Sequence, residues 1–213
     1  MSKSNEITFK LITLGNSGVG KTSIIKRYVY NIFETDNMAT IGINFAFKEL
    51  TLKNGKKVKL KLIDTSGEEK YQSLYKSYYK NAEGVLFVFD LSEIRSFNNI
   101  SEWIKVYNEY NNDDKIPRYL IGNKCELDSK VDDKLIDEFL KQNTNYTYKK
   151  ISAAQNIGLD LLFLEIAEKI SKNYKVGKQQ GKTLHLKEDF EKNNNNNKKY
   201  KCQICSLQNE AYQ

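Results

Sequence analysis

Cysteine is scarce in this 213-residue sequence, occurring only at Cys125, Cys202 and Cys205. So sparse and odd a set excludes a disulfide framework and points to a reducing compartment. Long apolar runs are missing as well. None approaches the roughly eighteen residues that span a bilayer, and Met1-Ser2-Lys3-Ser4 opens no signal-peptide core. Ser2 stands where N-myristoylation needs glycine. A cytoplasmic protein, or one peripheral on the cytosolic face of an endomembrane, is therefore expected. The single histidine, His185, lies far into a polar tail and offers no catalytic candidate. No internal repeat is visible.

What remains is 39% hydrophobic and 29% charged, the balance of a soluble globular domain. The net charge is +7, which by itself fits nucleic acid, an anionic membrane or a phosphate ligand. Much of the excess comes from lysines in the last stretch of chain, and no nucleic-acid motif accompanies it. The charge thus describes a solvated tail, and no nucleic-acid partner is expected.

Ile7 to Leu14 reads as a strand, and Lys21 to Tyr30 as a helix with Ile24, Ile25, Tyr28 and Val29 on one face. Asn44 to Leu52 and Lys57 to Ile63 flank Asn54-Gly55, the dipeptide favoured in a two-residue hairpin turn. Gly84 to Leu91 and Tyr119 to Ile121 are short apolar runs of the kind buried in parallel sheets. Between them Ile100, Trp103, Ile104 and Tyr107 recur at helical spacing, which assigns the lone tryptophan to packing. Tyr146 to Ile151 reads as a last strand and Leu159 to Tyr174 as a last helix. The alternation predicts a doubly wound α/β domain with its ligand at the carboxyl ends of the strands. The domain is expected over residues 1–176. From Gly177 to Gln213 a Lys/Asn-rich tail, with its run Asn193 to Asn197, buries nothing and is expected to be disordered.

Gly15-Asn16-Ser17-Gly18-Val19-Gly20-Lys21-Thr22 satisfies G-x-x-x-x-G-K-[ST] between a strand and a helix. Glycines let successive main-chain N–H groups turn inward as an anion nest, and the helix adds its positive end. Lys21 can reach the β- and γ-phosphates, and the Thr22 hydroxyl can coordinate Mg²⁺. The loop says phosphate and magnesium; it does not name the base.

Four further stretches complete a pattern: Thr40-Ile41-Gly42-Ile43-Asn44-Phe45, Asp64-Thr65-Ser66-Gly67-Glu68-Glu69, Gly122-Asn123-Lys124-Cys125-Glu126 and Ile151-Ser152-Ala153-Ala154. With the phosphate loop they resemble the Ras superfamily of small GTPases, most closely its Rab branch. Tyr78-Tyr79, Phe87 to Asp90 and Ser96 to Ile100 are Rab-like in detail. The resemblance implies a small G domain with a six-stranded, mostly parallel sheet flanked by helices, GTP/GDP cycling with Mg²⁺, and vesicle traffic. It gives Thr22, Thr40 and Asp64 to the metal. It gives Lys21, Thr40, Gly67 and Glu68 to catalysis. Nucleotide contacts would come from Gly15 to Thr22 with Ser23, from Thr40 and Gly67, and from Phe33, Asn123, Lys124, Glu126, Ser152, Ala153 and Ala154. Exchange factors, activating proteins and effectors would bind the switch loops, and a monomer is expected.

Several positions depart from that family pattern. Glu68 replaces the glutamine that orients the attacking water; a carboxylate only accepts hydrogen bonds and brings like charge to the phosphate. Slow intrinsic hydrolysis is expected. Glu126 replaces the aspartate that forks to guanine N1–H and N2–H₂, one methylene further out. Ala154 replaces a lysine whose stem flanks the base. Weaker affinity with retained guanine preference follows. Ile63 replaces the tryptophan of an aromatic triad with Phe45 and Tyr78, so the partners of other Rab proteins are not assumed. No C-a-a-X box is present, Cys202 and Cys205 lie upstream of Glu210-Ala211-Tyr212-Gln213, and prenylation is not expected. The tail's lysines could give weak, salt-sensitive membrane contact. A GTP-hydrolysing switch leads, ahead of a GTP-binding display module with little hydrolysis. A P-loop kinase or ATPase fares worst, because Thr40 and Asn123-Lys124 have no place in it.

Overall fold

The computed structural model describes residues 7–35, 40–68 and 76–179, without the side chains of 174–179. In chain order the elements are β1 (Thr8–Leu14), α1 (Lys21–Tyr30), β2 (Ile43–Thr51), β3 (Lys57–Thr65), α2 (Lys76–Lys80) and β4 (Gly84–Asp90). Then follow α3 (Ile94–Asn98), α4 (Ile100–Tyr110), β5 (Arg118–Asn123), α5 (Asp133–Gln142), β6 (Tyr146–Lys150) and α6 (Leu159–Gln179). By compactness the chain divides into Met1–Tyr174 and Lys175–Gln213. Of the second unit only the end of α6 is described. His185, Asn193 to Asn197, Cys202 and Cys205 fall outside the described residues.

The six strands form one sheet in the order β2-β3-β1-β4-β5-β6. The β2–β3 pair is antiparallel, and the other four pairings are parallel. The all-buried runs of β4 and β5 occupy central positions, because a strand covered on both faces needs apolar side chains on both. Alternation sorts the rest. Leu11, Leu60, Leu62, Leu86 and Ile121 face Ile24 and Tyr28 of α1 and Phe163 and Ile166 of α6. Ile12, Ile63, Val85, Phe87 and Leu120 face Tyr79, Trp103, Tyr107 and Ile136 of α2, α4 and α5. Two helical layers thus clamp the sheet and leave the carboxyl ends of β1, β3, β4 and β5 on one rim.

Three local features differ from the sequence reading. The β2–β3 connection is a three-residue loop, not a two-residue turn. Leu52 N donates to Lys56 O at 2.9 Å and Gly55 N to Leu52 O at 2.8 Å. Gly55 alone takes a left-handed φ of 78°, whereas a type I′ turn needs two such residues. Helix α5, on which Ile136, Phe139 and Leu140 carry helical spacing, is an element beyond those the sequence pattern above predicts. Asp132 caps it by accepting from Lys134 N at 2.9 Å. Helix α6 runs past Tyr174 to Gln179, through Lys175, Lys178 and Gln179, which are good helix formers.

Candidate functional site

The rim is assembled from loops that each leave a strand's carboxyl end. The loop after β1 carries Gly15 to Gly20, and α1 starts at Lys21. The Lys21 side chain folds back over it, donating to Gly15 O and Asn16 O at 2.8 Å each. Burial pushes the Lys21 ammonium down to about 8, partly offset by the negative charge of Asp64. Asp64, at the end of β3, is 3% exposed. Burial raises its carboxyl, against the opposing pull of the Thr22 hydroxyl, Lys21 and Lys26. Both groups are therefore held where bare charge is disfavoured, and a polyanion on Lys21 or a divalent cation on Asp64 would restore each to its charged form.

Thr22 Oγ1 donates to Asp64 Oδ2 at 2.7 Å and lies 2.7 Å from Thr40 Oγ1. Three oxygens from α1, β3 and the segment before β2 thus converge beside the phosphate loop. The other Asp64 oxygen, Oδ1, is buried with no hydrogen-bond partner among the described residues. Hard oxygen donors with an orphaned carboxylate oxygen suit Mg²⁺, which takes one or two carboxylates and otherwise oxygens of phosphate and water.

Gly67 follows two residues beyond β3. A Cβ there would stand 2.1 Å from Ser17 N and 2.3 Å from the carbonyl carbon of Asn16. Only glycine lets this main chain lie against the phosphate loop. Glu68 comes next, half-buried, with its N–H donated to Ser66 Oγ at 3.3 Å.

The opposite end of the rim is tied together by Asn123, 1% exposed at the end of β5. Its Nδ2 donates to Val19 O at 2.9 Å, and its Oδ1 accepts from Ala153 N at 3.1 Å. One amide thereby fixes the phosphate loop and the Ser152–Ala154 loop against each other. Lys124 is left-handed, with φ 62°, a conformation that costs a non-glycine residue about 1 kcal/mol or more. Its ammonium pairs with Asp90 Oδ2 at 2.6 Å. Glu126 Oε2 is buried without a partner among the described residues. A base with two adjacent N–H donors would satisfy it.

Two contributors escape a reading by motif. Arg27 of α1 donates from Nε to Ala153 O and from Nη2 to Ala154 O, both at 3.0 Å. Its guanidinium also lies 5.6 Å from the centre of the Phe33 ring. Phe33 and the Ala153–Ala154 loop, far apart in sequence, are drawn to one side chain. Trp103 is buried as expected, and its Nε1 also donates to Asn16 Oδ1 at 2.8 Å. Alignment of Arg27 or Trp103 with these partners is set by tertiary structure, and no periodicity announces it. Ser23, beside Thr22, is buried.

Outside the rim, Phe45 and Tyr78 rings lie 5.6 Å apart. Ile63 is cross-strand partner to Phe45 and buried. Lys61 Nζ sits 4.3 Å over the Phe45 ring. Ile41, Phe45 and Phe47 are exposed. Among the described residues no helix is long and apolar enough to cross a membrane.

A family model described as "Ras family" matches residues 10–172. Ras-related protein Rab-10 of Diplobatis ommata is 38% identical over 169 residues, 79% of this chain and 84% of the relative. Ras-related protein SEC4 of Saccharomyces cerevisiae is 35% identical over 184 residues, 84% and 85% of the two chains. Ras-related protein Rab-8B of Bos taurus is 34% identical over 171 residues, 80% and 82%. The matched span contains every rim residue described above. The chain belongs to the Ras superfamily of small GTPases, which bind GTP and GDP with Mg²⁺ and hydrolyse GTP, and within it is most similar to the Rab branch.

Proposed function

We propose that this chain is a Rab-type molecular switch in vesicle traffic, in which Thr40 and Gly67 sense the γ-phosphate of GTP bound on the rim. The switch occupies residues 1–176, and residues 177–213 form an appended tail. Gly15 to Thr22, with Ser23, cradle the phosphates through main-chain N–H groups at the start of α1. Lys21 supplies positive charge at the β- and γ-phosphates. Thr22, Thr40 and Asp64 hold Mg²⁺, which when bound neutralises charge developing on the phosphates. Gly67 offers its N–H to the γ-phosphate. Phe33, Asn123, Lys124, Glu126, Ser152, Ala153 and Ala154 enclose the guanine, with Glu126 taking its N1–H and N2–H₂. Glu68 positions the attacking water less effectively than the usual glutamine, because it has no N–H to give.

The meeting of Thr22, Thr40 and Asp64 carries this reading. Neither packing nor turn chemistry calls for a hydroxyl from a second segment on the Thr22 hydroxyl that itself donates to a buried carboxylate. A display module with little hydrolysis is not favoured, since the family's members are GTPases. Exchange factors, activating proteins and effectors bind the two switch segments. The Phe45–Tyr78 surface, with Ile63 in place of a third aromatic, selects effectors of its own. The protein acts as a monomer, and its tail lysines make weak, salt-sensitive membrane contact. A single-turnover assay on GTP-loaded protein tests the switch. Magnesium-dependent release of phosphate is expected, and bound GTP left intact over days would contradict it.

A further inference from the structure

Asn16 is the second residue of the phosphate loop, and three parts of the fold meet on it. Its main-chain carbonyl accepts from Lys21 Nζ at 2.8 Å. The main chain of Gly67 lies so close that a Cβ would come within 2.5 Å of the same carbonyl oxygen. Its side-chain Oδ1 accepts from Trp103 Nε1 at 2.8 Å, across 87 residues of sequence. Trp103 is 3% exposed and is buried with Ile100 and Tyr107 on one stripe of α4. It is also the only tryptophan of the chain.

We propose that Trp103 is a positioning residue for the phosphate loop: its indole N–H fixes the Asn16 side chain, and through the Asn16 main chain the direction of Lys21 and the seat of Gly67. The indole N–H is a donor only, and packing alone would be served as well by phenylalanine, which has none. Helix α4 is anchored in the core by Trp103 itself and Tyr107, whereas Asn16 is only half-buried and belongs to a loop. The bond therefore transmits the rigidity of the helix to the loop. The same carbonyl that holds Lys21 faces Gly67, so a shift of Asn16 moves both groups that the γ-phosphate engages. The inference rests on the reading that this loop holds the nucleotide's phosphates. It adds a spectroscopic consequence: the emission of the lone tryptophan reports the state of Asn16.

The full-length chain loaded with a fluorescent GDP analogue, with magnesium and excess unlabelled GDP, tests this. Release rates are compared for the wild type, Trp103→Phe, Asn16→Ala and the double variant, alongside thermal melts and the intrinsic emission of the two proteins that keep Trp103. Each single variant should release the analogue about threefold to tenfold faster, the range of one lost hydrogen bond. The double variant should be no faster than either single one, because both remove the same bond. Asn16→Ala should also shift the Trp103 emission maximum. Release from folded Trp103→Phe at the wild-type rate, single effects that multiply in the double variant, or an unmoved emission spectrum would each overturn the proposal. A wild type that retains no GDP overturns the nucleotide reading itself; a wild type that retains GDP with an unaffected Trp103→Phe overturns this proposal alone.

Discussion

Replacing Glu126 by alanine should weaken GDP binding about 30- to 150-fold while leaving the fold in place. The loop that carries Glu126 is held by its main chain, with Cys125 N on Ile151 O at 3.1 Å and Leu127 N on Lys124 O at 3.0 Å. The side chain is not needed for that. Its Oε2 is buried and unpartnered among the described residues, which leaves a polar atom whose cost a ligand would relieve. Truncating one side of a buried, hydrogen-bonded charged contact costs about 2–5 kcal/mol. Glu126 as a residue is half-buried, so solvent competes and the lower part, about 2–3 kcal/mol, applies. At 1.4 kcal/mol per decade that gives the fold-change stated. Inosine diphosphate, whose base keeps N1–H and lacks the 2-amino group, isolates the fork. Wild type should prefer GDP over it by about threefold to tenfold, one hydrogen bond's worth, and Glu126→Ala should lose that preference. Titration calorimetry of both nucleotides with magnesium gives all four constants. GDP affinity within twofold of wild type, or a preserved preference in the alanine variant, would refute the reasoning. Glu126→Asp, which restores the family's residue, should tighten GDP binding; an unchanged constant would argue that the longer side chain is already accommodated.

Glu68→Gln should raise single-turnover GTP cleavage. The like-charge penalty is bounded at about 4 kcal/mol for a pair 4 Å apart at effective dielectric 20, and Lys21 and half exposure bring the expected gain to about tenfold to a hundredfold; equal rates end the idea. Gly67→Ala places a Cβ 2.1 Å from Ser17 N, against backbone that cannot rotate away. Affinity for a non-hydrolysable GTP analogue should fall about tenfold or more, the loss of one charge-assisted hydrogen bond, with GDP affinity little changed. Equal losses for both nucleotides would show that Gly67 does not read the γ-phosphate. Glu165 holds Lys149 Nζ at 2.6 Å and accepts from Tyr119 Oη at 3.1 Å. Burial pushes its carboxyl up, but Lys149, Tyr119 and Lys169 outweigh this and keep it below its ordinary value. A depressed carboxylate stabilises above its unfolded pKa and loses that contribution as pH falls through the folded value. Glu165→Gln should therefore melt lower than wild type at pH 7, by the few degrees that about 1 kcal/mol implies, and the gap should close below about pH 4; a constant gap would contradict the linkage.

Much of the rim was legible because its chemistry fixes its spacing. The phosphate loop must join a strand to a helix, and α1 begins and ends where the glycine run and apolar face place it. Alternation in β3 separated Val58, Leu60 and Leu62 from the lysines. The convergence of Thr22, Thr40 and Asp64 followed from motif resemblance alone, since their separations of 18 and 42 residues carry no local signal. Arg27 is not among the residues that helical spacing places on the apolar face of α1, yet its partners lie 126 and 127 residues away. For Trp103 periodicity reported the buried face and was silent about the N–H, because hydrophobic pattern encodes where a ring goes and not what its edge touches. Asn54-Gly55 marked the hairpin correctly but not its loop length, which depends on how many residues take left-handed φ.

The central claim is that the loop from Gly15 to Thr22 holds a guanine nucleotide. Chromatography of whatever is released when the purified full-length protein is denatured addresses it directly. The account predicts GDP or GTP in near-stoichiometric amount, or uptake of GDP to that level after incubation with magnesium. An adenine nucleotide in its place, or no guanine nucleotide bound even at millimolar magnesium, would contradict it.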